Sequence, residues 1–250
     1  MWYSQCGEDL FVWLNFINQK CEDGICVEMG GNDGISHSNS YYFEKELGFH
    51  TILIEPDKFA FKKMIKNRPK SICFNTAVSN SDEPFLEFMG FGFTGGLRES
   101  MATANIEKFH KRQIIHKVYN TKMSNILNKV KAPYIDYFSL DVEGGELGVL
   151  ESIDWKNISI YLFSIELDGH NEEKDEKVRD ILRNNGFIYK HRVHSDEYWI
   201  NPNYPRKERL YDASKRPEYN ADKFDAFGEQ LHTPPDIRDK IANEIASYIP

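Results

Sequence analysis

The chain has 250 residues, 40% of them hydrophobic and 14% aromatic, a globular composition long enough to bury a core without disulfide or metal staples. Lys and Arg number 31 against 39 Asp and Glu, and the formal net charge of −8 disfavours nucleic-acid phosphate as the main partner. No apolar run approaches the roughly 18 residues of a membrane span, and the opening Met1-Trp2-Tyr3-Ser4-Gln5 has no basic segment followed by an apolar stretch, so no secretory signal is expected there.

In chain order, strand-like and helix-like runs alternate. Ile25 to Gly31 is a short apolar run stopped by glycines, as a buried parallel strand reads. Ser38 is placed to cap a helix that runs to about Leu47 and closes at Gly48. Thr51 to Pro56 is a second strand. Asp57 caps the next helix, where Phe61, Met64 and Ile65 share one face and Pro69 forbids continuation. Ser71 to Ser79 reads as a third strand. Residues 84–118 break the alternation: Phe85 to Phe88 has strand character, and Gly90, Gly92, Gly95 and Gly96 precede a polar stretch holding His110 and His116. This segment is expected as an insertion over the ligand face.

Met123, Ile126, Leu127 and Val130 recur at helical spacing up to Pro133. Ile135 to Val142 is a fourth core strand, followed by a helix from about Gly145 to Ser152, and Ile158 to Leu167 is a fifth strand. Glu172 to Asn185 forms an amphipathic helix with acids first and Gly186 as its stop. Phe187 to Val193 and Glu197 to Ile200 then close the sheet as an antiparallel pair. After Pro202 the chain is charged and dotted with prolines, with a short helix expected near 236–248. The expected division is a domain over 1–202 and an appendage over 203–250. Cys6, Cys21, Cys26 and Cys73 contain no C-x-x-C pair and read as free thiols in a reducing, cytoplasmic setting.

Such alternation predicts an α/β fold with an open, mostly parallel sheet and helices on both faces, its ligands bound beyond the carboxyl ends of the strands. Those ends are acidic: Glu28, Glu55, Asp141 with Glu143, and Glu166 with Asp168. The turn Glu28 to Gly34 lets backbone approach a ligand. It fails G-x-G-x-x-G in both frames, meeting Asn32 and Ile35 from Gly30, or Asp33 and Ser36 from Gly31, and it holds no P-loop Lys-Ser/Thr. Its carboxylates Glu28 and Asp33 would repel a pyrophosphate. A ligand with a cationic end and no phosphate suits it, and S-adenosylmethionine is one. Glu55, ending the second strand, is placed to accept ribose hydroxyls.

Several motifs in order then carry a resemblance. They are Ser4-Gln5-Cys6-Gly7-Glu8-Asp9, Val27 to Gly34, Ser38-Asn39, Leu53-Ile54-Glu55-Pro56, Asn67-Arg68, Ala77-Val78-Ser79, loosely Thr94 to Leu97, and above all Ile135 to Glu146. Together they resemble the FkbM family of S-adenosylmethionine-dependent methyltransferases, with Glu28 and Gly31 where the family usually has Asp and Ala. The resemblance stops near Pro202. It implies a class I, Rossmann-like seven-stranded sheet and methyl transfer to a hydroxyl of a small molecule, such as a sugar or glycan. It also implies cofactor contacts from Glu28, Gly30, Asn32, Asp33, Gly34, Ser38, Asn39, Glu55, Ala77 and Asp141.

A hydroxyl nucleophile needs a base or a metal. Asp141, Glu166 and His170 are the candidate bases, with His37 as a weaker one. Asp141, Glu166, Asp168 and His170 form a candidate set for magnesium or manganese. Glu143 and Glu146 have a capping role at the following helix as their alternative. The competing readings are a nucleotide-dependent oxidoreductase or epimerase, disfavoured by the failed glycine fingerprint, and a silent binding module, disfavoured by Glu55 and Asp141.

Overall fold

The computed structural model of the protein describes residues 2–90, 95–101, 106 and 115–215. A helix the sequence reading did not anticipate comes first: α1 (Glu8–Asn15) buries Leu10, Phe11, Val12 and Leu14. β1 (Ile25–Met29), α2 (Tyr41–Leu47), β2 (His50–Ile54), α3 (Lys58–Asn67) and β3 (Ile72–Phe74) then alternate. After β4 to β7, described below, come α4 (Met123–Val130), β8 (Tyr134–Leu140), α5 (Glu146–Glu151), β9 (Ser159–Glu166) and α6 (Glu172–Asn184). The antiparallel pair β10 (Ile188–Val193) and β11 (Asp196–Ile200) closes the sheet as expected.

The seven strands lie in the order β3-β2-β1-β8-β9-β11-β10, and only β11 runs against the rest. This is the class I methyltransferase sheet. β1 lies inside the sheet between β2 and β8 with Cys26 to Met29 buried, which is why the segment reads as an unbroken apolar run around one acid. Neighbouring residues on a strand face opposite sides. Tyr137 on β8 and Tyr198 on β11 therefore join a core with Phe11, Leu14 and Phe43, while Phe138 and Trp199 join a second core with Ile126, Val178 and Leu182. Among the described residues no helix is long and apolar enough to cross a membrane.

Four expectations change. Residues 71–79 are two strands: β3 ends at Phe74, and β4 (Ala77–Val78) leaves for a second sheet. That sheet, β4-β7-β5-β6, is completed by β5 (Phe85–Met89), β6 (Gly96–Leu97) and β7 (Ile115–Thr121), so the expected insertion contributes strands to a second sheet. On α3 the buried residues are Ala60 and Met64, whereas Ile65 is 45% exposed. Beyond 202 the chain still packs on the domain: Tyr204 and Leu210 are buried in the first core, and the Tyr204 hydroxyl donates to Asp136 at 2.6 Å. His110 and the helix expected near 236–248 lie outside the described residues.

Asp57 caps α3 as expected, accepting from the Phe59 and Ala60 N–H groups. At the other end of α3 Arg68, 1% exposed, donates to the Gly34 carbonyl at 2.8 Å, to Ser40 Oγ at 3.2 Å and to Glu44 Oε2 at 2.9 Å. It ties α2, α3 and the glycine turn together. Arg68→Met should cost about 3–5 kcal/mol, because Glu44 is left without its buried partner. Urea unfolding monitored by circular dichroism measures this, and a cost under about 1 kcal/mol, the worth of a surface pair, would contradict the role.

Candidate active site

β1 ends at Met29 and the chain turns at Gly30 with φ of 75°. A Cβ at Gly30 would stand 2.1 Å from the Asp141 carbonyl oxygen, so the end of β1 lies against the end of β8 only because no side chain intervenes. The Gly30 and Gly31 N–H groups donate to the Ile54 carbonyl at 3.1 and 3.3 Å, which fixes the turn above β2. Asn32, at φ of 43°, donates its N–H to Glu55 Oε2 at 2.9 Å, and the Asp57 N–H donates to Glu55 Oε1 at 2.7 Å. Glu55 is thus held in one orientation, and each oxygen keeps a lone pair for a further donor. Burial pushes its carboxyl up to about 7, against those two N–H bonds.

Across the cleft, β8 delivers Asp141, and the following turn passes through Glu143 at φ of 56° and Gly144 at 103°. A Cβ on Gly144 would lie 2.4 Å from the Ser100 carbonyl, so residues 95–101 press on this turn. Glu146 braces it from below, accepting from the Gly144 N–H at 3.0 Å and pairing with Lys174 at 3.0 Å. One carboxylate oxygen each of Asp141, Glu143 and Glu166 lies within 4.8 Å of the others. Burial, then the charge and hydrogen bond of Glu166, push the Asp141 carboxyl well above the usual range. Burial and Glu166 likewise push Glu143 up to about 7.

The return strand adds more acid. Asp196 stands directly opposite Glu166 in the β9–β11 pair, is 7% exposed and lines the cleft. Burial first, then Glu8 and Glu166, raise its carboxyl well above the ordinary range. Ser195 Oγ donates to Glu166 Oε1 at 3.1 Å. The cleft between these groups has a volume of about 250 Å³. Met29, Gly30, Ile54 and Glu55 line one side, and Phe88 and Leu97 of the small sheet line another.

A family model described as the methyltransferase FkbM domain matches residues 28–189. The chain belongs to the FkbM methyltransferase family. Among solved structures, the FkbM methyltransferase of Methylobacillus flagellatus KT aligns at 11% identity with a TM-score of 0.46, over 72% of this chain and 44% of that one. The present chain therefore spans less than half of that protein. Aeropyrum pernix fibrillarin, solved with natively bound S-adenosyl-L-methionine, aligns at 11% identity and a TM-score of 0.43, over 79% and 73%. A putative rRNA-methylase from Clostridium thermocellum aligns at 9% and 0.44, over 80% and 95%. No curated protein matches the chain.

Of the residues expected in the site, the FkbM domain brings Gly30, Asn39, Glu55, Ala77, Asp141 and Glu166 to the cleft, with His37 also on its wall. Glu28 is not among the lining residues. It sits one residue before the strand's end and turns inward, accepting from Ser38 Oγ at 2.8 Å, the Asn39 N–H at 2.6 Å and Ser40 Oγ at 2.6 Å. Ser38 is taken up by that bond and by accepting from the Tyr41 N–H at 3.1 Å, and the N-cap position of α2 expected for it is held by Ser40. Asp33 folds onto the Ile35 and Ser36 N–H groups at 2.9 and 2.8 Å, and its carboxylate shapes the turn. Asn32 and Gly34 also shape the loop and do not line the cleft. Asp168 and His170 pair with each other at the exposed start of α6 and lie outside the lining, so neither joins the acid cluster as expected.

Glu143 takes their place, while Glu146 has the structural role foreseen for both. Sequence reasoning missed Glu8, His194, Ser195 and Asp196. Glu8 stood inside a recognised motif, and register alone brings Asp196 to Glu166.

Proposed function

We propose that the chain is an S-adenosylmethionine-dependent O-methyltransferase acting on a hydroxyl of a sugar or glycan. The supporting observation is the division of one cleft into two ends. A buried carboxylate, Glu55, is set by two backbone N–H groups beneath a glycine turn, and an acid cluster of Asp141, Glu143, Glu166 and Asp196 lies opposite. The residues present fit the cofactor: Glu55 has acceptor capacity left for a diol, and the acids favour a cationic centre. When bound, S-adenosylmethionine supplies an electrophilic methyl on a sulfonium and leaves as a neutral thioether.

The chain's own residues divide the work. Glu55 orients the ribose hydroxyls, and Ile54, Pro56 and Ala77 offer apolar wall to a flat base. Asp141, Glu166 and Asp196 face the other end, and one of these carboxylates takes the proton of the acceptor hydroxyl as the new C–O bond forms and the C–S bond breaks. Gln5, Asn39, His194 and Ser195 give this end amide, imidazole and hydroxyl groups that suit a polyhydroxylated acceptor. Calorimetry with S-adenosylhomocysteine, then a screen of hydroxylated acceptors for methyl incorporation, tests the reading. A folded protein that binds no S-adenosylhomocysteine would overturn it.

Glu55→Gln should weaken S-adenosylhomocysteine by about 1–3 kcal/mol with the fold intact. Two ribose hydroxyls lose a charged acceptor, and one backbone N–H of Asn32 or Asp57 then faces an amide NH2. Because the wild-type carboxyl titrates at about 7, its affinity should fall as the pH drops through 7, and the variant should lack that dependence. Folding shows the opposite sign. Raised from 4.5 to about 7, Glu55 costs stability as pH climbs through that interval. Equal affinities for wild type and variant at pH 8 would remove Glu55 from the ribose role.

A further inference from the structure

We infer that Asp141, Glu143 and Glu166 form the binding site for one divalent cation of the magnesium or manganese type, with open positions for the hydroxyl oxygens of the acceptor. Three carboxylate oxygens within 4.8 Å of one another are close enough for small side-chain rotations to gather them on a single ion. The donors are all carboxylate oxygen, the preference of magnesium, manganese and calcium. Asp168 and His170, which the order of residues first suggests as ligands, are engaged with each other instead.

A second observation points to a cation at the same place. Asp196 is 7% exposed, lines the cleft, and its carboxylate takes no hydrogen bond among the described residues. It faces Glu166 at a directly opposed register position, where like charges destabilise a sheet. Burying such a carboxylate without a partner is costly. Of the basic groups nearby, Lys174 holds the Gly144 carbonyl and Glu146, and Arg192, whose charge also acts on Asp196, donates to the Leu167 carbonyl at 2.7 Å and reaches Glu197 at 3.4 Å without forming an ion pair with Asp196 within 4.0 Å. A doubly charged ion in the cluster relieves this repulsion.

The position of Glu143 agrees. It holds a left-handed backbone, and a Cβ on Gly96 would come within 3.1 Å of Glu143 Cβ, so loop 95–101 packs directly on it. Ser195 Oγ fixes one oxygen of Glu166, as outer partners orient metal ligands. With the three acids as ligands, Asp196 is the carboxylate left to receive a hydroxyl proton. That last step rests on the methyltransferase reading; binding of the ion does not.

Manganese titration of the whole chain, read by electron paramagnetic resonance and calorimetry, tests the site without an activity assay. Wild type is expected to bind one manganese ion, displaced by magnesium. Glu143→Gln should weaken manganese binding by about tenfold or more while keeping its melting temperature. Should that variant fail to fold, Glu166→Gln serves for the same comparison. Folded wild type that binds no manganese at millimolar concentration overturns the site, and so does binding that the folded variant leaves unchanged. A wild type that binds manganese but not S-adenosylhomocysteine would keep the ion site and sink the methyltransferase reading.

Discussion

Asp141→Asn is expected to lower turnover by a factor of about 10² or more while leaving S-adenosylhomocysteine affinity within a few-fold of wild type. Asparagine keeps the shape and can still hydrogen-bond Glu166, but it can neither accept a proton nor bring an anionic oxygen to an ion. Cofactor binding survives because the contact that the end of β1 makes with residue 141 is to its backbone carbonyl, which the substitution leaves in place. Stability gives an independent check. The Asp141 carboxyl is raised well above 3.8 in the fold, so in chelator the folded state binds the extra proton and loses stability as pH rises above the unfolded value. The variant lacks this penalty and should melt no lower than wild type at pH 7. Methylation at the wild-type rate would remove Asp141 from the chemistry. A large fall in melting temperature would recast it as structural.

The core sheet was legible because its strands are buried on both faces. β1, β2, β8 and β9 are apolar runs closed by glycine, proline or an acid, and α3 between β2 and β3 begins at a side-chain cap, Asp57. The small sheet was not, because β5 and β7 pair across 30 residues and leave Phe85 and Tyr119 exposed, so neither strand shows a buried alternating face. Within the site, an acid at a strand end says nothing of which way it turns. Glu28 and Glu55 look alike in sequence, yet Glu28 spends its carboxylate on Ser38, Asn39 and Ser40 and Glu55 keeps its own at the cleft. Asp196 was unreachable by spacing arguments, since its place opposite Glu166 follows from the register of a strand that returns antiparallel.

Gly30→Ala should abolish measurable S-adenosylhomocysteine binding and cost about 3 kcal/mol or more of stability. Two effects act together there, and a second glycine separates them. Gly186, which ends α6, has φ of 83° against 75° at Gly30, so alanine meets comparable backbone strain at either site, about 1–2 kcal/mol. At Gly186 an added Cβ meets nothing within 4 Å, whereas at Gly30 it would stand 2.1 Å from the carbonyl oxygen of Asp141. That oxygen belongs to the backbone at the end of β8 and cannot swing aside as a flexible side chain would. Relief therefore requires the ends of β1 and β8 to part, which displaces the Gly30 and Gly31 bonds to Ile54 and the Asn32 bond to Glu55. Gly186→Ala should accordingly lose only the strain energy and bind S-adenosylhomocysteine as wild type does. Chemical denaturation and calorimetry on the two variants decide the matter. Equal losses of stability, with binding kept in both, would mean that φ alone demands glycine at position 30 and that the close contact between β1 and β8 does not build the cofactor end of the cleft.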